Sequence, residues 1–162
     1  MTLSHLDGAG RPRMVDVTDK TATARSAVAE GTIQMSRQAF QLLADGAVAK
    51  GNVLAVSEIA GTLAAKRTAE LIPLCHPLGL DHVAVEATLD TTLPGVRVRA
   101  AAKTVGRTGV EMEALTAVSV ALLAVYDMVK SADRAMEIQG VRLIEKTGGR
   151  RGDWRRNTAG PD

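Results

Sequence analysis

The fold is decided by residues 109–131, Gly109-Val-Glu-Met-Glu-Ala-Leu-Thr-Ala-Val-Ser-Val-Ala-Leu-Leu-Ala-Val-Tyr-Asp-Met-Val-Lys-Ser131. Large apolar residues recur in this stretch at steps of three and four, good helix formers lie between them, and no Pro or internal Gly interrupts it. The recurring residues are Leu115, Val118, Leu122, Val125 and Val129. The opposite side carries small apolar residues such as Ala117 and Ala121, which suit close approach of a second helix. The pattern predicts one long helix that is buried on nearly all sides.

Charged residues mark both ends of this predicted helix. At its start, Thr108 and Glu111 have the spacing of a capping box, and this structural role competes with a functional one for Glu111. At its end, Asp127 and Lys130 lie three residues apart on one face, where they form either a solvated ion pair or an acid–base pair. Glu113 and Asp127 are separated by about 21 Å along a straight helix. The two ends therefore cannot share a small-molecule site within one chain.

Two shorter helices are predicted ahead of the long one. Ser36 is placed to cap a helix over residues 37–44, which ends at a Gly-containing turn. Asn52 is placed to cap a second helix over residues 53–69.

The second of these helices is expected to turn Ile59 and Leu63 inward, together with small residues beside them. It also contains Gly61, which costs a helix about 1 kcal/mol relative to Ala. A glycine kept at that cost indicates a close contact with another helix.

Four strands are predicted from β-branched or alternating segments. They cover residues 27–35, 82–89, 96–105 and 138–146. Leu93-Pro-Gly95 joins the two middle strands as a hairpin. The element order is β-α-β-β-α-β with one helical element doubled, which predicts a ferredoxin-like α+β domain with an antiparallel four-stranded sheet and helices on one face.

The length of 162 residues predicts a single domain. Polar, Gly- and Pro-punctuated residues 1–13 are expected to form a flexible arm, residues 14–149 the folded domain, and the arginine-rich residues 150–162 a flexible basic tail. The net charge of +2 is mild, so clustered Lys and Arg residues favour a small anionic ligand over a nucleic-acid groove.

Several classes of protein are disfavoured by what the chain lacks. A single cysteine allows no internal disulfide, no His, Cys and carboxylate set has metal-binding spacing, and no Gly-rich phosphate-binding motif occurs. No apolar signal segment opens the sequence, and the longest apolar run is shorter than the ~20 residues that cross a bilayer. We therefore expect a cytoplasmic protein without a membrane span.

A rigid segment, Leu71-Ile-Pro-Leu-Cys-His-Pro-Leu78, holds Cys75 and His76 between two prolines that forbid a helix. On the residues alone, a buried structural histidine is the favoured interpretation of His76. Cys75 has no thiolate-activating neighbours beyond His76, so we interpret it as a shaping residue rather than a nucleophile. Together with scattered cations and the acids of the long helix, the segment indicates an anionic ligand and proton transfer.

The sequence closely resembles one family, the cyclic pyranopterin monophosphate synthases of molybdenum cofactor biosynthesis, over roughly residues 14–153. Seven collinear segments carry the resemblance: Met14-Val-Asp-Val17, Lys50-Gly51, Ile59-Ala-Gly61 with Ala64-Ala-Lys-Arg-Thr68, Leu71 to Leu78, Thr108-Gly-Val-Glu-Met-Glu-Ala-Leu-Thr-Ala117, Tyr126-Asp-Met128 with Lys130, and Lys146-Thr-Gly-Gly149. The resemblance implies conversion of 3′,8-cyclo-7,8-dihydro-GTP into cyclic pyranopterin monophosphate with release of pyrophosphate. It also implies a homo-hexamer built as a trimer of dimers, with pockets between subunits.

The resemblance further implies roles for individual residues. Asp127 matches the family's active-site residue, and Lys130 matches its partner in acid–base work. The implied substrate-binding residues are Arg25, Lys50, Lys66, Leu74, Cys75, His76, Glu111, Met112, Glu113 and Lys146. No cofactor or metal site is implied, although Mg²⁺ could accompany the triphosphate, and no nucleic-acid or membrane partner is expected.

A non-catalytic oligomeric protein that binds nucleotides or RNA is the competing hypothesis. The basic tail and a ferredoxin-like sheet favour it, since RNA-binding domains use such sheets. The predicted strands, however, lack the exposed aromatic residues that stack on bases.

Overall fold

The computed structural model describes residues 9–150 and 152–157. Its elements follow the chain as β1 (Thr23–Gln34), α1 (Arg37–Ala44), α2 (Val53–Lys66), α3 (Thr68–Leu71), β2 (His82–Asp90), β3 (Gly95–Gly106), α4 (Glu111–Val129), β4 (Glu137–Thr147) and β5 (Trp154–Arg155). The flexibility expected at the termini concerns in part residues 1–8, 151 and 158–162, which lie outside the described residues.

The sheet is antiparallel, with the strand order β2-β3-β1-β4-β5. The predicted mixed α+β class is confirmed, but the four-strand count is wrong because the sheet has five strands. The fifth pairs Trp154 with Lys146 and Arg155 with Glu145. Two residues are too few to show alternation, and this strand depends on contacts that the sequence pattern does not display.

The helix caps at Ser36 and Asn52 are confirmed, since each side chain accepts a hydrogen bond from the backbone N–H three residues later. The capping box at the start of α4 is wrong. That helix begins at Glu111 after Val110, and no side chain caps it. The Glu111 carboxylate is therefore not used as a cap, and it can contact other groups beyond the end of the helix.

The predicted inner side of α2 is also wrong. Ile59 and Leu63 are 61% and 51% exposed, whereas Ser57, Gly61 and small alanines are buried. The reason is close packing: a Cβ on Gly61 would lie 2.9 Å from the carbonyl oxygen of Ala117 in α4. The close helix contact predicted from Gly61 is thus confirmed, and it turns the larger side chains outward.

Helix α4 lies at the centre of the core, between the sheet and α2. By length and composition alone it is the one helix of residues 9–150 and 152–157 that could cross a membrane. Half of that stretch is buried inside the protein, as in any central core helix. Its position brings Glu111 and Met112 to one end of the sheet and Asp127 to the other.

Candidate functional site

A cavity of about 790 Å³ opens at the end of the sheet where α4 begins. The segment before β1, the Pro-flanked loop and the ends of β3 and β4 form the rest of its wall. Seven residues singled out from the sequence line it: Arg25, Leu74, Cys75, His76, Glu111, Met112 and Lys146. The fold therefore gathers residues from five separate parts of the chain into one site.

The cavity is strongly cationic. Its basic residues are Lys20, Arg25, Arg107, Lys146 and Arg150, whereas Glu111 is the acid on its wall. Glu111 lies 3.9 Å from the ammonium of Lys146. Several cations converging on one cavity suit a ligand with several phosphate charges.

The guanidinium of Arg25 is held in place from behind. Its Nε donates to the carbonyl oxygen of Gly106 at 2.8 Å, and Nη2 donates to that of Arg107 at 3.3 Å. Gly149 has a positive φ of 82°, and a Cβ there would lie 2.5 Å from Arg25 Nη1. The glycine thus leaves the room that the arginine occupies.

His76 ties the cavity wall to the preceding segment. Its Nε2 donates to the carbonyl oxygen of Val15 at 2.7 Å. Val15 and Val17 both line the cavity. The imidazole is therefore partly committed to holding Met14–Val17, a segment that carries part of the family resemblance, against the pocket.

Glu113 lies behind this wall rather than on it. It is only 3% exposed, its Oε1 is 3.9 Å from the Sγ of Cys75, and its Oε2 has no hydrogen-bond partner within the described part of the chain. Burial raises the pKa of Glu113, and burial and Glu113 raise the pKa of Cys75. A thiol with a raised pKa is a poor nucleophile at neutral pH, which agrees with a shaping role for Cys75.

A second cluster forms at the far end of α4, around Asp127. Lys50 Nζ donates to its Oδ2 and to its backbone oxygen, both at 2.8 Å, and Lys130 Nζ lies 2.7 Å from its Oδ1. Lys130 and Lys50 lower the pKa of Asp127 to about 2, and Asp127 raises that of Lys130. Asp127 therefore keeps the proton on Lys130 and fixes the position of its ammonium group.

These two clusters do not meet within one chain. Met112 and Asp127 are separated by about 22 Å along α4. Lys66, the remaining predicted residue, lines a separate cavity of about 540 Å³ with Asp81 and His82. The predicted site residues therefore occupy three places in the protomer.

Sequence reasoning missed several residues of the main cavity. Lys20, Arg107 and Arg150 line it, as do Thr108 and Gly109. Basic clusters around Arg107 and Arg150 were visible in the sequence, but their convergence depends on the ends of β3 and β4 lying side by side with β1. Within residues 9–150 and 152–157, no three His, Cys, Asp or Glu residues are grouped to hold a metal ion.

Comparison with known proteins gives a consistent result. Residues 14–149 match the model of the MoaC family. A protein of Methylobacterium sp. (strain 4-46) named cyclic pyranopterin monophosphate synthase is 58% identical over 94% of this chain and 96% of its own length. Proteins with the same name from Chloroflexus aggregans and Brucella ovis are each 56% identical, over 95% and 94% of this chain and 93% and 92% of their own.

Proposed function

The chain belongs to the MoaC family, and on that premise we propose that it is a cyclic pyranopterin monophosphate synthase of molybdenum cofactor biosynthesis. It converts 3′,8-cyclo-7,8-dihydro-GTP into cyclic pyranopterin monophosphate and releases pyrophosphate. The observation that carries the proposal from the chain's own geometry is the cationic cavity, because a triphosphate substrate and a pyrophosphate leaving group both require converging positive charge.

Binding falls to the main cavity. Arg25, Arg107 and Lys146 face the phosphates and stabilise the charge that develops on the leaving pyrophosphate. The loop Leu74-Cys-His76 and Met112 shape the wall, and Glu111 orients Lys146. We include no resident cofactor, and any Mg²⁺ would arrive with the triphosphate.

Proton transfer falls to the Asp127 cluster. Lys130 is the general acid or base, and the Asp127 carboxylate holds its ammonium in place at 2.7 Å. Lys50 bonds the same carboxylate from the other side, so it fixes the orientation of the pair. General acid–base groups contribute typically about 10²- to 10⁴-fold to a rate.

The two clusters act together only if a second chain brings them together. We therefore propose a homo-hexamer built as a trimer of dimers, with each site shared between subunits. An exposed apolar patch supports assembly: Val56, Ile59 and Leu63 follow one face of α2, and Leu123 lies on α4. Large apolar side chains exposed on neighbouring helices are a common feature of protein interfaces. The strand order β2-β3-β1-β4 supports a ferredoxin-like fold, and we infer a cytoplasmic enzyme without a nucleic-acid partner.

The test is turnover of the purified chain with variants of each cluster. Asp127→Asn and Lys130→Met are each expected to lower kcat by about 10²- to 10⁴-fold. Arg97→Met is the control, because it breaks another exposed ion pair, with Asp90, away from both clusters. Near wild-type turnover by either cluster variant contradicts the acid–base assignment, and absence of turnover by the unaltered chain contradicts the proposed function.

Shared sites give a sharper result. Arg25→Met and Asp127→Asn chains are each expected to be nearly inactive alone. When the two are unfolded together and refolded, about a quarter of the sites should combine an intact Arg25 from one chain with an intact Asp127 from another. No recovery of activity from mixed oligomers would show that each chain works alone.

A further inference from the structure

The short hairpin after β4 holds a single tryptophan beside the cavity. Trp154 pairs with Lys146 across β4 and β5, and directly paired residues of an antiparallel sheet project from the same face, about 5 Å apart at Cβ. Lys146 lines the cavity, and so do Gly149 and Arg150 of the turn. Trp154 is not among the residues that line the cavity, but it lies on the same face of the sheet as Lys146, one strand further out.

The hairpin is fixed by several specific contacts. Arg155 donates through Nε and Nη2 to Glu145, and the Arg156 N–H donates to the carbonyl oxygen of Ile144 at 2.7 Å. The Asp153 carboxylate accepts from the N–H of Gly148 at 3.0 Å. Both residues of β5 are exposed, so these contacts fix the position of the hairpin without adding to the core.

The ring itself is available to a ligand. Trp154 is 41% exposed, and the guanidinium of Arg156 lies 5.7 Å from the ring centroid. Nucleic-acid bases and other flat heteroaromatic rings stack on aromatic side chains such as indole. Among the described residues that line the cavity, His76 is the one with an aromatic ring, and no Phe, Tyr or Trp is present. Trp154 therefore offers a larger flat surface than the wall itself does to a purine-derived ring.

We propose that Trp154 is a specificity-determining residue that stacks on the flat ring of the guanine-derived substrate while the neighbouring cations bind its phosphates. This inference rests on the proposed function, and it adds a residue of the basic C-terminal segment to the site. The cation–π contact with Arg156 orients the ring. Since stacking on an aromatic side chain contributes to binding and not to the chemical step, its loss raises KM and leaves kcat nearly unchanged.

The chain provides its own reporter, because Trp154 is its one tryptophan. Titration of the unaltered protein with GTP, used as the probe, is expected to quench or shift the indole emission. Inorganic tripolyphosphate, which carries the charge without a ring, should bind by calorimetry and leave the emission nearly constant. Unchanged emission with GTP, or equal changes with both compounds, would overturn the inference.

Turnover separates stacking from a structural role. Trp154→Ala is expected to raise KM roughly 5- to 100-fold at nearly constant kcat, and Trp154→Phe should restore most of the affinity. Arg155→Met is the control, because it loosens the hairpin and keeps the ring. An equal rise in KM for Arg155→Met and Trp154→Ala, or an unchanged KM in Trp154→Ala, would overturn the inference while the proposed function stands. If the unaltered chain gives no product, the proposed function fails and the GTP titration still decides whether the ring stacks.

Discussion

Gly149→Ala tests whether the missing side chain at Gly149, just after β4, provides the space that the Arg25 guanidinium occupies. The new Cβ would lie 2.5 Å from Arg25 Nη1, far inside van der Waals contact. The guanidinium can move away only if it loses the hydrogen bonds that its Nε and Nη2 donate to the carbonyl oxygens of Gly106 and Arg107. The substitution should therefore move the arginine out of the position from which it faces the cavity.

Two costs follow, and they have different sizes and different readouts. A non-Gly residue at positive φ costs about 1–2 kcal/mol of stability, which lowers the melting temperature by roughly 2–8 °C in a domain of this size. Loss of one charge-assisted hydrogen bond to a phosphate costs about 1.5–3 kcal/mol of binding. That loss corresponds to a rise of roughly 10- to 100-fold in KM.

The matched control is Gly140→Ala. Gly140 has a similar positive φ of 65°, and its Cβ would meet nothing within 4 Å. The Gly140→Ala variant should lose about as much stability as Gly149→Ala and keep the KM of the unaltered protein. The assay combines thermal unfolding with the KM for the cyclic GTP derivative. Equal KM values in the two variants would refute the argument that Gly149 acts through Arg25.

Two further predictions concern packing and pH. Gly61→Ala should lower the free energy of unfolding by about 1–2 kcal/mol, because overpacking against the Ala117 carbonyl exceeds the helix-propensity gain. The measurement is denaturant titration, and the control is Gly79→Ala, which has open space around its Cβ. A stabilised Gly61→Ala variant would contradict the close contact. Burial raises the pKa of Glu113 above its ordinary value of 4.5, so the folded state keeps a proton that the unfolded chain has lost. The free energy of unfolding should therefore fall as pH rises above 4.5 through the folded-state pKa. Glu113→Gln should remove that part of the slope in parallel denaturant titrations, and identical slopes would show that Glu113 ionises as freely in the fold as outside it.

Much of the fold was predictable because its signals are local. The caps at Ser36 and Asn52 and the extent of the middle strands follow from turn chemistry and alternation, which neighbouring residues determine. The inner face of α2 could not be predicted in this way. The large apolar side chains of Ile59 and Leu63 suggested that they face the core, but close packing against α4 requires Gly61 and alanines there. The exposed apolar face of α2 can be recognised as a candidate interface only after the structure shows which face is buried.

The site divides in the same way. Residue types and the family resemblance indicated Arg25, His76 and Lys146 as ligand-binding, and these residues do line one cavity. The contributions of Arg107 and Arg150 depend on which strands are neighbours, and β1 lies between β3 and β4 only in the folded sheet. The predicted element order suggests the strand neighbours, but it does not show which side chains at the strand ends point into one cavity, so the number of converging cations could not be counted in advance.

Helix α4 links the proposed assembly to the proposed chemistry. A rigid helix fixes about 22 Å between Met112 and Asp127, which no rearrangement of loops in one chain shortens. Two large apolar side chains are exposed nearby: Leu123 on this helix, at 56%, and Ile59 on its neighbour, α2. If a second copy packs there with its α4 antiparallel, helices lie about 8–10 Å apart, and the start of one faces the end of the other. In that arrangement, the phosphate-binding end of α4 in one chain lies across the interface from the proton-transfer end of α4 in the other. The two clusters that are too far apart within one chain would then lie close together between two chains.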